Sequence, residues 1–278
     1  MDIVSSMMRG DVGVFALGLV LAGVVSGLVS GVLGFGSGIV VVPVLYSVLV
    51  TLGLDRSVRM HIAVATSLAA LVPASLAAAI VSGQIAVPDR ALLIRWVIPA
   101  VVGALAGSAL AAYSGDRILL IAFATVSLVV ATHLVFVPDN SRDSSQLSQF
   151  SSPLTAAAVI GGVSAMTGID GGTLSAPTRT LFGISPERAA SMGAVLNVLG
   201  AAVGAACAIV AGWHEVGLPV WSLGYVNLLG LGLILPGMLL AAPVGARFVQ
   251  TADTRRMRLV FALFIVVAGA RFLFDALA

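Results

Sequence analysis

Residues 27–43 read GLVSGVLGFGSGIVVVP, and residues 161–177 read GGVSAMTGIDGGTLSAP. Laid over each other at a shift of 134, they agree at Gly27/Gly161, Val29/Val163, Ser30/Ser164, Gly34/Gly168, Gly38/Gly172 and Pro43/Pro177. Each is an apolar run interrupted by a glycine cluster, with a proline five residues past its last glycine. Glycine admits positive φ and close backbone approach, so each cluster predicts a broken helix. A second overlay, 107–136 on 245–274, matches Gly107/Gly245, Arg117/Arg255, Phe123/Phe261, Ala124/Ala262, Val129/Val267 and Phe136/Phe274. The chain therefore reads as two homologous halves, residues 1–137 and 153–278. Residues 138–152, which begin Pro138-Asp139-Asn140-Ser141-Arg142-Asp143, form a polar linker between them.

Composition sets the solvent. Of 278 residues, 59% are apolar and 9% charged, where a soluble domain has about 25% charged. Too few charges are present to coat a water-exposed surface, which excludes soluble enzymes, nucleic-acid binders and secreted scaffolds. The net charge is +2, and every basic residue is an arginine. Scattered on short loops, these arginines read as topology determinants rather than a polyanion patch. The single cysteine, Cys207, rules out an internal disulfide. His61, His133 and His214 are too dispersed for a zinc motif, so no cofactor is expected.

A membrane helix needs roughly 20 apolar residues. Ten segments are read: 12–33, 38–52, 61–82, 92–113, 117–137, 153–167, 171–183, 189–211, 222–246 and 257–274. The first is too long for a signal-peptide core and has a counterpart mid-chain, so it is taken as a membrane segment. The expected fold is an all-α polytopic membrane protein of two repeats, with short, broken helices at the centre. Five crossings per half would make the repeats inverted; an even number would make them parallel. The second segment of each half is short, and 171–183 also carries Arg179, which costs ~2.5–3.5 kcal/mol at the bilayer centre. It must face protein, a water-filled cavity or an interface.

Short, glycine-interrupted segments at matching places in two halves point to a transporter's central site. Beyond each break, a half-helix presents free N–H groups and the positive end of its dipole, which suits an anion. The candidates are Gly34, Phe35, Gly36, Ser37 and Gly38 in the first half, and Gly168, Gly171, Gly172 and Thr173 in the second. Gly23, Gly27, Gly103, Gly107, Gly200 and Gly204 read instead as helix-packing residues.

The G-x-G-x-G…P pattern, its G-x-x-G-G…P echo, and the A-x-A-T-S run at Ala63–Ser67 resemble the TauE/SafE sulfite-exporter-like family, also called the toluene sulfonate uptake permeases. The resemblance covers both halves. It implies movement of sulfite, organosulfonates or related small anions across a bacterial inner membrane. Family members commonly carry G-G-G where this chain has Ser37 and Asp170. Ser37 adds a donor suited to a sulfonate oxygen, whereas Asp170 puts a carboxylate where an anion should bind. Asp170 reads either as a helix N-cap or as a proton-coupling group. Arg179 is its partner, an anion clamp or a membrane-edge arginine.

Thr66, Ser67 and Asn197 either line the cavity or bond a neighbouring helix, while Ser75 and Asn227 are assigned to such bonds. His133 is read as interfacial, with a proton relay as the alternative. Trp96, Trp213, Trp221 and Tyr225 read as an aromatic belt. The expectation is a multi-pass inner-membrane transporter, not an enzyme. Its partners are a small anion, the lipid bilayer and a proton as coupling ion; no nucleic acid is expected, and a homo-oligomer is compatible. The alternatives are a carboxylate transporter or channel, a membrane assembly factor, and an intramembrane hydrolase pairing Ser37 with His61 or His133. The strict G-x-S-G pattern of the last fails at Phe35, and an enzyme gives no reason for two breaks.

Overall fold

The computed structural model describes residues 11–33, 37–81, 90–136, 153–174, 186–248 and 254–277. Among these the helices are α1 (Asp11–Leu33), α2 (Ser37–Thr51), α3 (Arg56–Val81), α4 (Arg90–Tyr113), α5 (Asp116–Phe136), α6 (Pro153–Thr167), α7 (Pro186–Ala211), α8 (Leu228–Phe248) and α9 (Thr254–Leu277). A helical turn at 171–174 follows α6. Between α7 and α8, β1 (Ser222–Leu223) and β2 (Val226–Asn227) form a small antiparallel hairpin, Ser222 opposite Asn227 and Leu223 opposite Val226. The segment expected at 222–246 thus enters its helix only at Leu228. Tertiary bonding of the hairpin overrides its apolar composition. The linker at 138–152 lies outside the described residues, as does most of 171–183.

Six helices contain stretches long and apolar enough to cross a membrane, within α3, α4, α5, α7, α8 and α9. Their outward faces carry large apolar side chains: Val129, Phe136, Val267 and Phe274 are 62, 76, 61 and 72% exposed. In water such a surface would be one continuous sticky patch, but hydrocarbon solvates it. The chain is an all-α, multi-pass membrane protein.

The short helix α2 is sheathed by protein. Ile39 to Val42, Leu45, Tyr46 and Leu49 are all buried, and the Tyr46 ring meets Phe272, which in turn meets Phe123 at a centroid distance of 5.0 Å. Helix starts are fixed by side chains. Asp55 accepts from the backbone N–H and hydroxyl of Ser57 at the head of α3, both at 2.9 Å. Asn227 accepts from the Gly230 N–H at 2.6 Å at the head of α8. Such caps replace the water that the first N–H groups of a helix would otherwise bond.

Glycines set the helix contacts. Helix α1 packs chiefly on α8, and α4 on α6; α3 packs on α7 and α5 on α9. A Cβ on Gly27 would lie 2.5 Å from the Met238 carbonyl oxygen, and one on Gly161 would lie 2.0 Å from that of Ala100. Likewise Gly245 closes on Leu28 and Gly107 on Gly162, at 2.4 and 2.1 Å. In the two sequence overlays Gly27 stands opposite Gly161, Leu28 opposite Gly162, and Gly107 opposite Gly245. Aligned positions also share their surroundings: Phe123 and Phe261 are buried, Val129 and Val267 exposed. Gly200 differs from its expected role, since a Cβ there meets nothing within 4 Å. The aromatic belt is also halved. Trp213 and Trp221 are exposed, but Trp96 is buried with Ala100, Ala157 and Leu196, where small residues leave room for an indole. Tyr225 is buried against His61.

These contacts make a direct test. Gly27→Leu and Gly107→Leu force backbones apart and should destabilise by about 1–3 kcal/mol or more. Gly13→Ala and Gly18→Ala, which meet open space, should melt at or above the parent temperature, as alanine favours a helix. Thermal melts in detergent read both, and equal melting of the two sets would contradict the packing role.

Candidate functional site

Both glycine breaks lead to one place. Ser37 opens α2 and is buried, and its carbonyl accepts the Ser26 hydroxyl at 2.9 Å. At the next residue, a Cβ on Gly38 would sit 2.2 Å from the Gly168 carbonyl oxygen and 3.2 Å from the Ile169 Cα. Only a hydrogen fits there. On the other side, α6 ends at Thr167, and Gly168 turns the chain at φ +71°. Val42 and Val64 crowd it, each with an atom 3.1 Å from where its Cβ would be. A side-chain-bearing residue would be both strained and blocked.

Unwinding frees carbonyls, and hydroxyls take them. Ser67 donates to the Gly168 carbonyl at 3.0 Å and Ser164 to that of Ile169 at 2.6 Å. These two serines satisfy groups that water cannot reach, while the Ser26 bond to the Ser37 carbonyl ties α1 to the head of α2.

The helical turn beyond the second break is headed by Asp170, which is 2% exposed. Its carboxylate accepts from the Thr173 N–H at 3.1 Å and from the Thr173 hydroxyl at 2.6 Å. This is N-cap geometry. The Gly171 N–H donates to Asn197 Oδ1 at 2.9 Å, and Asn197 Nδ2 donates to the Ser75 hydroxyl at 2.7 Å. The positive end of this half-helix thus already holds an anionic oxygen pair and an amide oxygen, all supplied by the chain. Gly172 lies in the same turn.

Of the candidates, Ser37, Gly38, Ser67, Gly168, Asp170, Gly171, Gly172, Thr173 and Asn197 gather around the two breaks. Thr66, one position from Ser67, is instead engaged with the hairpin: its hydroxyl oxygen accepts the Asn227 N–H at 3.0 Å. Gly34, Phe35, Gly36 and Arg179 lie outside the described residues. Ser26, Ser75 and Ser164 were not singled out as parts of the site. Ser26 and Ser164 each stand on an apolar helix within a few turns of a glycine break, whereas Ser75 on α3 carries no such signal. His61 Nε2 lies 3.1 Å from the Ala111 carbonyl, so the ring is held by α4 rather than paired with a serine nucleophile.

A family model described as "Sulfite exporter TauE/SafE" matches residues 19–272. The chain belongs to the TauE/SafE family. A "Probable membrane transporter protein" of Haemophilus influenzae is 27% identical over 258 residues, which covers 92% of this chain and 97% of that one. No solved structure matches. Family, relative and apolar helices together make this TauE/SafE protein a multi-pass membrane transporter.

The capping geometry predicts a graded response. Asp170→Asn keeps an oxygen for the Thr173 N–H and should melt close to the parent. Asp170→Ala removes both bonds and should cost about 0.5–2 kcal/mol. Gly38→Ala, which drives a methyl into the Gly168 carbonyl, should cost more than either. Melting curves that ranked Asp170→Ala above Asp170→Asn would contradict the cap.

Proposed function

We propose that this TauE/SafE transporter moves a small oxyanion, sulfite or an organosulfonate, across the bacterial inner membrane, coupled to protons through Asp170. The observation that carries this reading is the Asp170 carboxylate seated on the half-helix N-terminus, bonded to Thr173. A site that holds a carboxylate by backbone N–H, hydroxyl and dipole offers what a sulfur oxyanion needs. Two anions cannot share it without repulsion. Protonation of Asp170 removes the resident charge, so that an oxyanion can approach the turn without repulsion. Anion and proton therefore occupy the site together and leave it together. Ser37, buried at the head of α2 beside the second break, supplies a hydroxyl donor from the facing side.

The doubled glycine contacts support two pseudo-symmetric halves, residues 1–137 and 153–278, with the breaks at their centre. Five crossings in each half would make the repeats inverted, and one half rocking against the other would expose the breaks alternately to each side. A second reading has its own support: donors that already hold the Asp170 carboxylate would also suit a carboxylate substrate.

Uptake into liposomes holding the purified protein separates these readings, using labelled sulfite, a sulfonate and a carboxylate, with and without a pH gradient. Saturable flux of a sulfur oxyanion, raised by the gradient, is the expected result. Flux of the carboxylate alone would transfer the proposal to the second reading, and flux that never saturates would indicate a channel. Asp170→Asn should leave saturable flux that no longer responds to the gradient; an unchanged response would remove Asp170 from the coupling.

A further inference from the structure

A cavity of about 30 Å³ lies among α3, α4, α5, α6, α7 and the hairpin, away from the Asp170 cap. A buried water needs roughly 10–15 Å³ of such space, so one or two fit. The wall is apolar except for His61, Ser108 and Tyr225. Two polar atoms on it have no partner: Nδ1 of His61 and the hydroxyl of Ser108, a residue only 7% exposed. Ser47, Ser114, Thr125, Thr132 and Thr167 each turn their hydroxyl back to the carbonyl four residues earlier. Ser108 does not.

The hydrogen on the ring can be placed. Nε2 of His61 lies 3.1 Å from the Ala111 carbonyl, one turn beyond Ser108 on α4. A carbonyl only accepts, so Nε2 carries the hydrogen, and Nδ1 of the ring is a buried lone pair without a partner. Behind it stands Asp116, also 7% exposed. Its Oδ1 accepts the Met60 N–H at 2.7 Å, and its Oδ2 is buried without a partner. Of these unpaired buried groups, His61 Nδ1 and Asp116 Oδ2 can only accept and the Ser108 hydroxyl can donate; Asp116 itself stands outside the cavity lining. A buried site with surplus acceptors lacks a hydrogen.

We propose that this cavity is a hydrated proton-binding site, in which His61 Nδ1 takes up a proton through water held by Ser108, with Asp116 as the counter-charge. The groups around it fit that role. Asp116 interacts electrostatically with His61, and also with Arg59 and Arg56. Those two arginines are tied by bonds to the Leu54 and Asp275 carbonyls. Tyr225 stacks on His61 at a centroid distance of 5.0 Å, and Glu215 acts on Tyr225. Helix α6 brings no titratable residue, and neither Cys207 of α7 nor Tyr113 of α4 lines the cavity. The link to the glycine breaks is one residue thick: Val64 lines the cavity and also abuts Gly168. A change of charge at His61 is thereby felt at the crossing of the two breaks. That coupling rests on the proton-linked transport proposed above, whereas the proton site itself does not.

The test therefore has a readout independent of flux. In purified, ¹⁵N-histidine-labelled protein, the His61 signals are assigned by their loss in His61→Gln, which keeps a donor for the Ala111 carbonyl. The neutral ring should show hydrogen on Nε2 and a bare Nδ1, converting to the doubly protonated ring on acidification while the protein stays folded. Ser108→Val removes the hydroxyl and fills part of the cavity. It should lower the midpoint of that conversion by about 1 pH unit, the cost of taking a hydrogen bond from a charged group. A ring with hydrogen on Nδ1, no conversion, or a midpoint indifferent to Ser108→Val would each overturn the site. In liposomes, His61→Gln should flatten the pH profile of flux. An unchanged profile alongside normal flux defeats the coupling alone, whereas absence of flux in the parent defeats the transport reading and leaves the spectroscopic result standing.

Discussion

A helix broken inside hydrocarbon must find partners for the amides and carbonyls it frees, because no water is there to take them. Much of the interior of this protein answers that demand. Ser67 and Ser164 bond the carbonyls of Gly168 and Ile169, while Asp170 and Asn197 take the amides of Thr173 and Gly171. Two of these partners come from elsewhere in the fold: Ser67 from α3 and Asn197 from α7. The breaks thus hold α3, α6 and α7 in register, and these helices hold the breaks open. A net hydrogen bond contributes about 1 kcal/mol, but a buried orphan costs more. The arrangement is therefore fixed less by what each bond adds than by what its loss would leave behind.

Close approach is the complementary requirement. Without a hydrophobic drive between helices in lipid, association depends on packing and on small residues that let backbones meet. Gly27, Gly107, Gly161 and Gly245 each face a carbonyl of a helix distant in sequence. Their contacts leave α2 enclosed among helices that face lipid in its place. An unwound segment tolerates membrane depth only under such cover.

Much of this was legible in the residues. Length and composition gave the membrane, the two glycine clusters gave the breaks, and the following half-helix gave Asp170 its cap. The meeting of the breaks was inferred from their duplication and is visible as Gly38 against the Gly168 carbonyl. Partner choice was not legible. Nothing in the sequence says that Thr66 serves the hairpin while Ser67 serves the break, because adjacent helical residues point about 100° apart and only tertiary structure fixes which way each faces. Trp96 and Tyr225 misled for a related reason: both lie near segment ends, where an aromatic residue suits the membrane interface, yet each found a buried pocket first. His61 drew notice only as a candidate base for Ser37, since the cavity it lines is assembled from five helices and a hairpin.

The pairing of α1 with α8 also bears on how the chain is made. Helix α1 is made well before its chief partner α8, which follows α7 and the hairpin. Until then Gly23 and Gly27, which close on the backbones of Ile234 and Met238, present their grooves to lipid or to the insertion machinery. The α4–α6 contact also waits for the second half of the chain to begin. The two halves cannot be finished one after the other. Biosynthesis must keep the early helices competent in the bilayer, and a chain truncated before Leu228 leaves α1 without its chief partner.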